Sequence, residues 1–193
     1  PWLPGTPTVV FVVDRSASLS PARVEDAVRG DDPHLPQSRL ILVENSFGGR
    51  GGVPLPPDYF TEIRAVADRH GLAVHLDGAR LWNASAASGV DLAAYAATAD
   101  SVMVCLSKGL GAPVGSVLAG ESDFIAEARE VRKMFGGGMR QVGVLAAPAL
   151  VALREQRPKL VEDHARARRL AEGFGQARDV ELPYGEPETN ILF

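Results

Sequence analysis

The 193 residues carry 46% hydrophobic and 23% charged side chains with a formal net charge of -4, the balance of a globular protein with one good core, or one domain plus part of another. That charge argues against nucleic acid or an anionic membrane as the main partner, and no apolar run reaches the roughly 18 residues of a membrane span. A single cysteine, Cys105, excludes an internal disulfide framework and, with no signal peptide to read, makes the cytoplasm the expected compartment.

In chain order, residues 8–13 (Thr-Val-Val-Phe-Val-Val) read as a strand. Ser20-Pro21 is an N-cap followed by an N1 proline, and predicts a short helix over 22–29 closed by Gly30. Residues 39–43 (Arg-Leu-Ile-Leu-Val) form a continuous apolar strand, as expected where helices cover both sheet faces. Glu44-Asn45 and the glycine-rich 48–52 follow. An amphipathic helix spans 57–70, with Phe60, Ile63 and Ala67 on one face and Gly71 as its stop. The strand 72–76 comes next, then an alanine-rich helix from Leu81 to about Ala99, then the strand 101–106 around Cys105, whose thiol is expected to be buried and inert. A further strand over 113–119 places Lys108 near a turn between two strands. A charged helix covers 121–134, Gly136-Gly-Gly138 breaks it, and an apolar helix resumes over 141–153. Pro158 opens a long helix to about Ala177, whose arginines Arg166, Arg168 and Arg169 suit a solvated face. Strands over 180–182 and 189–193 turn the alternating pattern into a smaller α+β piece, with a boundary near Arg157-Pro158. The chain opens without a methionine and stops inside an apolar run, the expected look of the middle of a longer protein.

Two motifs close neighbouring strands: His75-Leu-Asp-Gly-Ala-Arg80 and Ser107-Lys108-Gly-Leu-Gly111. Thirty-one positions separate Asp77 from Lys108, the length of one strand–helix–strand unit. In an open parallel sheet the carboxyl ends of the strands line the ligand crevice, so carboxylate and amine face one pocket. Pyridoxal phosphate requires that pair, a lysine for the Schiff base and an aspartate to keep the ring nitrogen protonated. Each residue alone has a plainer reading: Asp77 as the cap of the next helix, Arg80 as its ion-pair partner, Lys108 as a surface lysine. Gly109 and Gly111 begin like a dinucleotide fingerprint but lack its third glycine and its helix, and no P-loop is present. Gly136-Gly-Gly138 beside Lys133 and Arg140 suits either a hinge or an anion cradle. The four histidines have no metal-ligand spacing, so no metal site is expected.

Together with Leu106-Ser-Lys-Gly-Leu-Gly-Ala-Pro-Val-Gly115 and Arg132-Lys-Met-Phe-Gly-Gly-Gly-Met-Arg-Gln141, the Asp77 motif resembles the low-specificity L-threonine aldolases. The resemblance runs from about Ser18 to Phe193. It implies an α/β fold with a mostly parallel sheet covered by helices, the large domain of the type I pyridoxal phosphate transferases. Residues 1–157 would belong to that domain, its N-terminal part missing, and 158–193 would start a truncated, smaller α+β domain. It also implies that Lys108 carries the cofactor next to Ser107, that Asp77 pairs with the pyridinium nitrogen, and that Arg80 reaches the phenolic oxygen or the substrate carboxylate. Lys133 and Arg140 would reach a phosphate in a neighbouring subunit's site, within a homotetramer. Phe47 stands where the family usually has a histidine near the substrate hydroxyl, which puts β-hydroxy amino acid handling in question. The implied reaction is retro-aldol cleavage of a small amino-acid substrate to glycine and an aldehyde. A racemase, a β-eliminating lyase or a non-catalytic fragment are the alternatives, and a fragment alone is expected to be inactive.

Overall fold

The computed structural model describes residues 20–30 and 32–193; the strand expected over 8–13 lies outside them. Four strands, β1 (Leu40–Glu44), β2 (Ala73–Gly78), β3 (Ser101–Cys105) and β4 (Ser116–Gly120), form one sheet in the order β1-β2-β3-β4. The first three run parallel and β4 returns antiparallel to β3. The parallel strands are linked by α2 (Pro57–His70) and by α3 (Leu81–Ser88) with α4 (Leu92–Ala96). A shorter helix α1 (Pro21–Asp26) precedes them, and α5 (Ser122–Met134), α6 (Gly143–Val151) and α7 (Leu160–Phe174) follow β4.

The core is built where α2 lies on the sheet. Phe60, Ile63, Val66 and Ala67 line one face of α2 and are buried against Val43, Val74 and Leu76. Tyr95 of α4 meets Phe60 edge-on, with ring centroids 5.4 Å apart. Removing a buried ring such as Phe60 would cost about 3–5 kcal/mol. A second cluster joins Leu106, Leu110 and Ala112, just after β3, to Ala149, Ala152 and Leu160 of the helical C-terminal part.

Several expectations need correcting. The alanine-rich helix is two helices, because the chain turns at Gly89 and Asp91 caps α4 by accepting from Ala93 N at 2.8 Å. Among the described residues strand β1 is covered on one face: Ile41 and Val43 are buried, while Leu40 and Leu42 are 52% and 61% exposed. The helix expected from 141 starts at Gly143 and passes through a π turn (Ala152–Gln156) and a 3-10 turn (Arg157–Lys159) into α7, which ends at Phe174. No strand forms over 180–182 or 189–193. An apolar run becomes a strand only when its backbone finds a ladder partner, and the side chains here bond elsewhere, Thr189 to the 51–52 loop and Asn190 to Asn83 of α3.

Candidate active site

The ends of the parallel strands assemble the first group. In the ladder, Glu44 of β1 sits beside Asp77 of β2, which sits beside Met103 of β3. Asp77 Oδ1 accepts from Ala79 N at 3.0 Å, so the carboxylate caps the turn into α3. Its second oxygen has no partner among the described residues. Arg80 opens α3 and turns to Glu44, with Nη1 3.7 Å from Oε1, rather than to Asp77. The same Oε1 accepts from Gly48 N at 3.2 Å. A Cβ at Gly48 would stand 2.6 Å from Arg80 Nη1, so the absent side chain leaves the guanidinium its room.

The loop after β1 is stitched to this group. Asn45 N donates to Asp77 O at 3.0 Å, and Asn45 Oδ1 accepts from Leu55 N at 3.1 Å. Asn45 Nδ2 and Ser46 Oγ are buried with no hydrogen-bond partner among the described residues. Phe47 is half-buried, donates to Val53 O at 2.8 Å and accepts from Gly52 N at 2.9 Å, which bends the glycine-rich loop back on itself. Its ring lies against Gly49. Below the site, His75 Nδ1 and Ser101 Oγ lie 2.8 Å apart, and burial pushes the imidazole's pKa down against the opposing pull of Asp77.

Lys108 belongs to the connection between β3 and β4, the turn that a strand over 113–119 implies. Three backbone bonds tie that turn: Leu106 N to Gly115 O at 2.9 Å, Ala112 N to Leu106 O at 3.0 Å and Gly111 N to Lys108 O at 2.8 Å. Leu106, Leu110 and Ala112 are buried as anchors, and Ser107 and Lys108 stand exposed between them. Among the described residues no carboxylate pairs with the Lys108 ammonium. Trp82 of α3 donates from Nε1 to Cys105 O at 2.9 Å and fastens the end of β3 to the helix that follows Asp77. Cys105 itself is half-buried.

Lys133 and Arg140 are placed differently. Lys133 lies in the last turn of α5 and Arg140 just beyond Gly136–Gly138, and both are exposed. No hydrogen bond or ion pair among the described residues joins either to the Asp77–Arg80–Glu44 group. The residues at 44, 83, 164, 189 and 190 were not legible as site residues. Glu44 is signalled only by closing a strand next to the one Asp77 closes, and Asn83 by being the one amide in a helix of alanine, serine, leucine and tryptophan.

Comparison with known proteins then decides the lineage. The beta-eliminating lyase family pattern matches residues 5–193. The chain belongs to that family. It is 50% identical over 174 residues to low-specificity L-threonine aldolase 1 of Arabidopsis thaliana, covering 88% of this chain and 48% of that one. It is 41% identical to the low specificity L-threonine aldolase of Escherichia coli K12, over 89% of this chain and 50% of the relative. The Leishmania major threonine aldolase structure, at 23% identity, superposes with a TM-score of 0.75 over 91% of this chain and 52% of that chain, and so shares the fold. The chain thus spans about half the length of the curated relatives it matches.

Proposed function

We propose that the protein containing this chain is a pyridoxal-phosphate-dependent lyase that cleaves threonine-type β-hydroxy-α-amino acids to glycine and an aldehyde. The observation that carries the reading is the pair Asp77, near the carboxyl end of β2, and Lys108, in the connection that follows the neighbouring β3; among the described residues the lysine has no carboxylate partner and one aspartate oxygen has none. The names of the relatives in Arabidopsis thaliana and Escherichia coli support it. The donor set fits the cofactor: an amine and two buried polar atoms, at Asn45 and Ser46, without partners among the described residues, a half-engaged carboxylate and a guanidinium.

Lys108 would hold the cofactor through its amine, with Ser107 beside it, and Asp77 would hold the ring nitrogen in its protonated form. When bound, pyridoxal phosphate supplies the electron sink for cleavage at Cα. Arg80 would orient the phenolic oxygen or the substrate carboxylate, its swing limited by Glu44. In the reaction the β-hydroxyl loses its proton, the Cα–Cβ bond breaks, Cβ leaves as the aldehyde and Cα takes up a proton to give glycine. Phe47, lacking an imidazole, can move no proton and instead offers an apolar wall to the substituent on Cβ.

Lys133 and Arg140, which stand clear of the Asp77 group, would serve a phosphate in a neighbouring subunit of a homotetramer. Their exposure in the single chain supports that reading. The division of the chain near residues 157 and 158 is part of the same proposal, supported by the change of helical geometry at Arg157–Lys159. The cytoplasm is the proposed compartment; no helix among the described residues is long and apolar enough to cross a membrane.

Reduction of the intact, cofactor-loaded protein with borohydride should tag Lys108, and Lys108→Ala should lose the visible cofactor band. Tagging of Lys133 or Lys159 would overturn the assignment, and absence of any cofactor colour would overturn the enzyme reading. Product analysis with threonine and serine separates aldol cleavage from β-elimination, the reaction named in the family's description.

A further inference from the structure

Three buried polar residues that the reaction does not use, Asn83, His164 and Thr189, are linked through residues 189 and 190. Asn83 of α3, 2% exposed, donates both N–H groups of its amide, to His164 Nε2 at 3.0 Å and to Asn190 Oδ1 at 3.1 Å. An amide nitrogen can only donate, so His164 must accept at Nε2 and carry its proton on Nδ1. The neighbouring Thr189, fully buried, shares its single hydroxyl proton between Gly52 O at 2.9 Å and, over the longer arm, Gly51 O at 3.3 Å. Asn83 also lies against Gly109, where an added Cβ would come within 2.8 Å of Asn83 Oδ1 and 3.2 Å of Leu160 Cδ2.

These contacts cross from one site loop to the next. Thr189 holds the glycine-rich loop that bends at Phe47, Asn190 holds the helix that leaves Asp77, and that helix supports the residue after Lys108. The sequence separations are long, 137 residues from Gly52 to Thr189 and 107 from Asn83 to Asn190. The dipeptide therefore adds long-range ties to those that Asn45–Asp77 and Trp82–Cys105 already make between these parts of the site. Asn83, His164 and Thr189 are buried while Asn190 is exposed; buried polar groups are costly unless satisfied, and once satisfied they fix a single geometry.

We propose that Asn83, Thr189 and Asn190 form a positioning clamp that holds the Phe47 loop, the Asp77 helix and the Lys108 turn in fixed relation. None of the three touches the reacting atoms. The part they play in catalysis rests on the reading of Lys108 and Asp77 given above, whereas the mechanical coupling does not.

Amide hydrogen exchange in the intact protein, without added cofactor, measures that coupling. The reporters are Gly111 and Ala112 in the Lys108 turn and Gly52 in the first loop, whose N–H groups are all hydrogen-bonded. In Asn190→Ala, exchange at these amides should rise by about tenfold or more, while the β2 amides stay within roughly twofold of wild type. Thr189→Val, close in shape, should free Gly52, and Thr189→Ser, which keeps the hydroxyl, should not. An increase confined to residues 189–191, or one spread equally into β2, would overturn the clamp. Borohydride tagging of cofactor-loaded samples of the same proteins keeps the two readings apart. A wild type untagged at Lys108 defeats the catalytic reading alone. A tagged wild type with unchanged exchange in Asn190→Ala and Thr189→Val defeats the clamp alone.

Discussion

Gly109→Ala probes the closest packing beside the proposed cofactor lysine. The new methyl carbon would stand 2.8 Å from Asn83 Oδ1 and 3.2 Å from Leu160 Cδ2, against ordinary contacts of about 3.5 Å or more. Neither neighbour yields easily. Asn83 is held by His164 and Asn190, and Leu160 is fully buried in the second apolar cluster. Either the amide moves and loosens two hydrogen bonds, one buried and one part-buried, or the Lys108 turn lifts by several tenths of an ångström. Overpacking of this kind costs about 1–3 kcal/mol, which lowers Tm by roughly 2–10 °C in a domain of this size. Gly173→Ala in α7 is the matched control. Nothing lies within 4 Å of its would-be Cβ, so relief of glycine's entropy should stabilise by about 0.5–1 kcal/mol. Thermal unfolding of the intact protein and both variants reads the two effects together. A Gly109→Ala variant that melts with or above the wild type would show that the turn does not rest on Asn83.

Three further outcomes follow from the site. Asp77→Asn still offers an oxygen to Ala79 N, so the fold and cofactor binding should survive while turnover falls at least about a hundredfold, roughly 3 kcal/mol; near wild-type turnover would reduce Asp77 to a helix cap. Phe47→His should raise kcat/KM for threonine relative to phenylserine, and an unchanged ratio would mean that the ring does not face the substrate. His164 should make stability fall as pH drops through 6.5, because burial first, and Arg168 second, lower its pKa in the folded state against the weaker pull of Asp163. The unfolded chain then takes up the proton more readily, so the stabilisation is full above pH 6.5 and is lost below it. His164→Gln should flatten that slope in urea titrations between about pH 8 and pH 5, and an equally steep slope would assign the effect elsewhere.

The parallel strands were legible because their apolar runs end in polar pairs, Glu44-Asn45 after one and Asp77-Gly78 before a helix in the other. Helix α2 was legible from Pro57 and Gly71, which bracket its apolar face. The break in the alanine-rich helix was written in the sequence too, since Asp91 two residues after Gly89 is a helix cap, but the density of alanine hid it. The segments at 180–182 and 189–193 were misread as strands for another reason. Their apolar content is real, yet a strand is a property of two segments, and no partner is visible from one. The cluster around Asn83 was beyond reach for a related cause. Asn83, His164 and Asn190 each look like ordinary surface polar residues, and only the fold brings them together.

The antiparallel return of β4 bears on how the molecule reaches this arrangement. The β3–β4 connection, residues 106–115, is the shortest link in the sheet, whereas β1 and β2 are joined through 45–72 and β2 and β3 through 79–100. Closing the shorter loop costs about 1 kcal/mol less entropy than closing 45–72. Local closures of this kind are favoured early in folding. The hairpin that carries Lys108 should therefore be formed before Asp77's strand finds its neighbours, and the amine and the carboxylate would meet when a finished hairpin docks. Pulse-labelled refolding is the test: protection at Gly111 and Ala112 should precede protection in β2, and the reverse order would refute it.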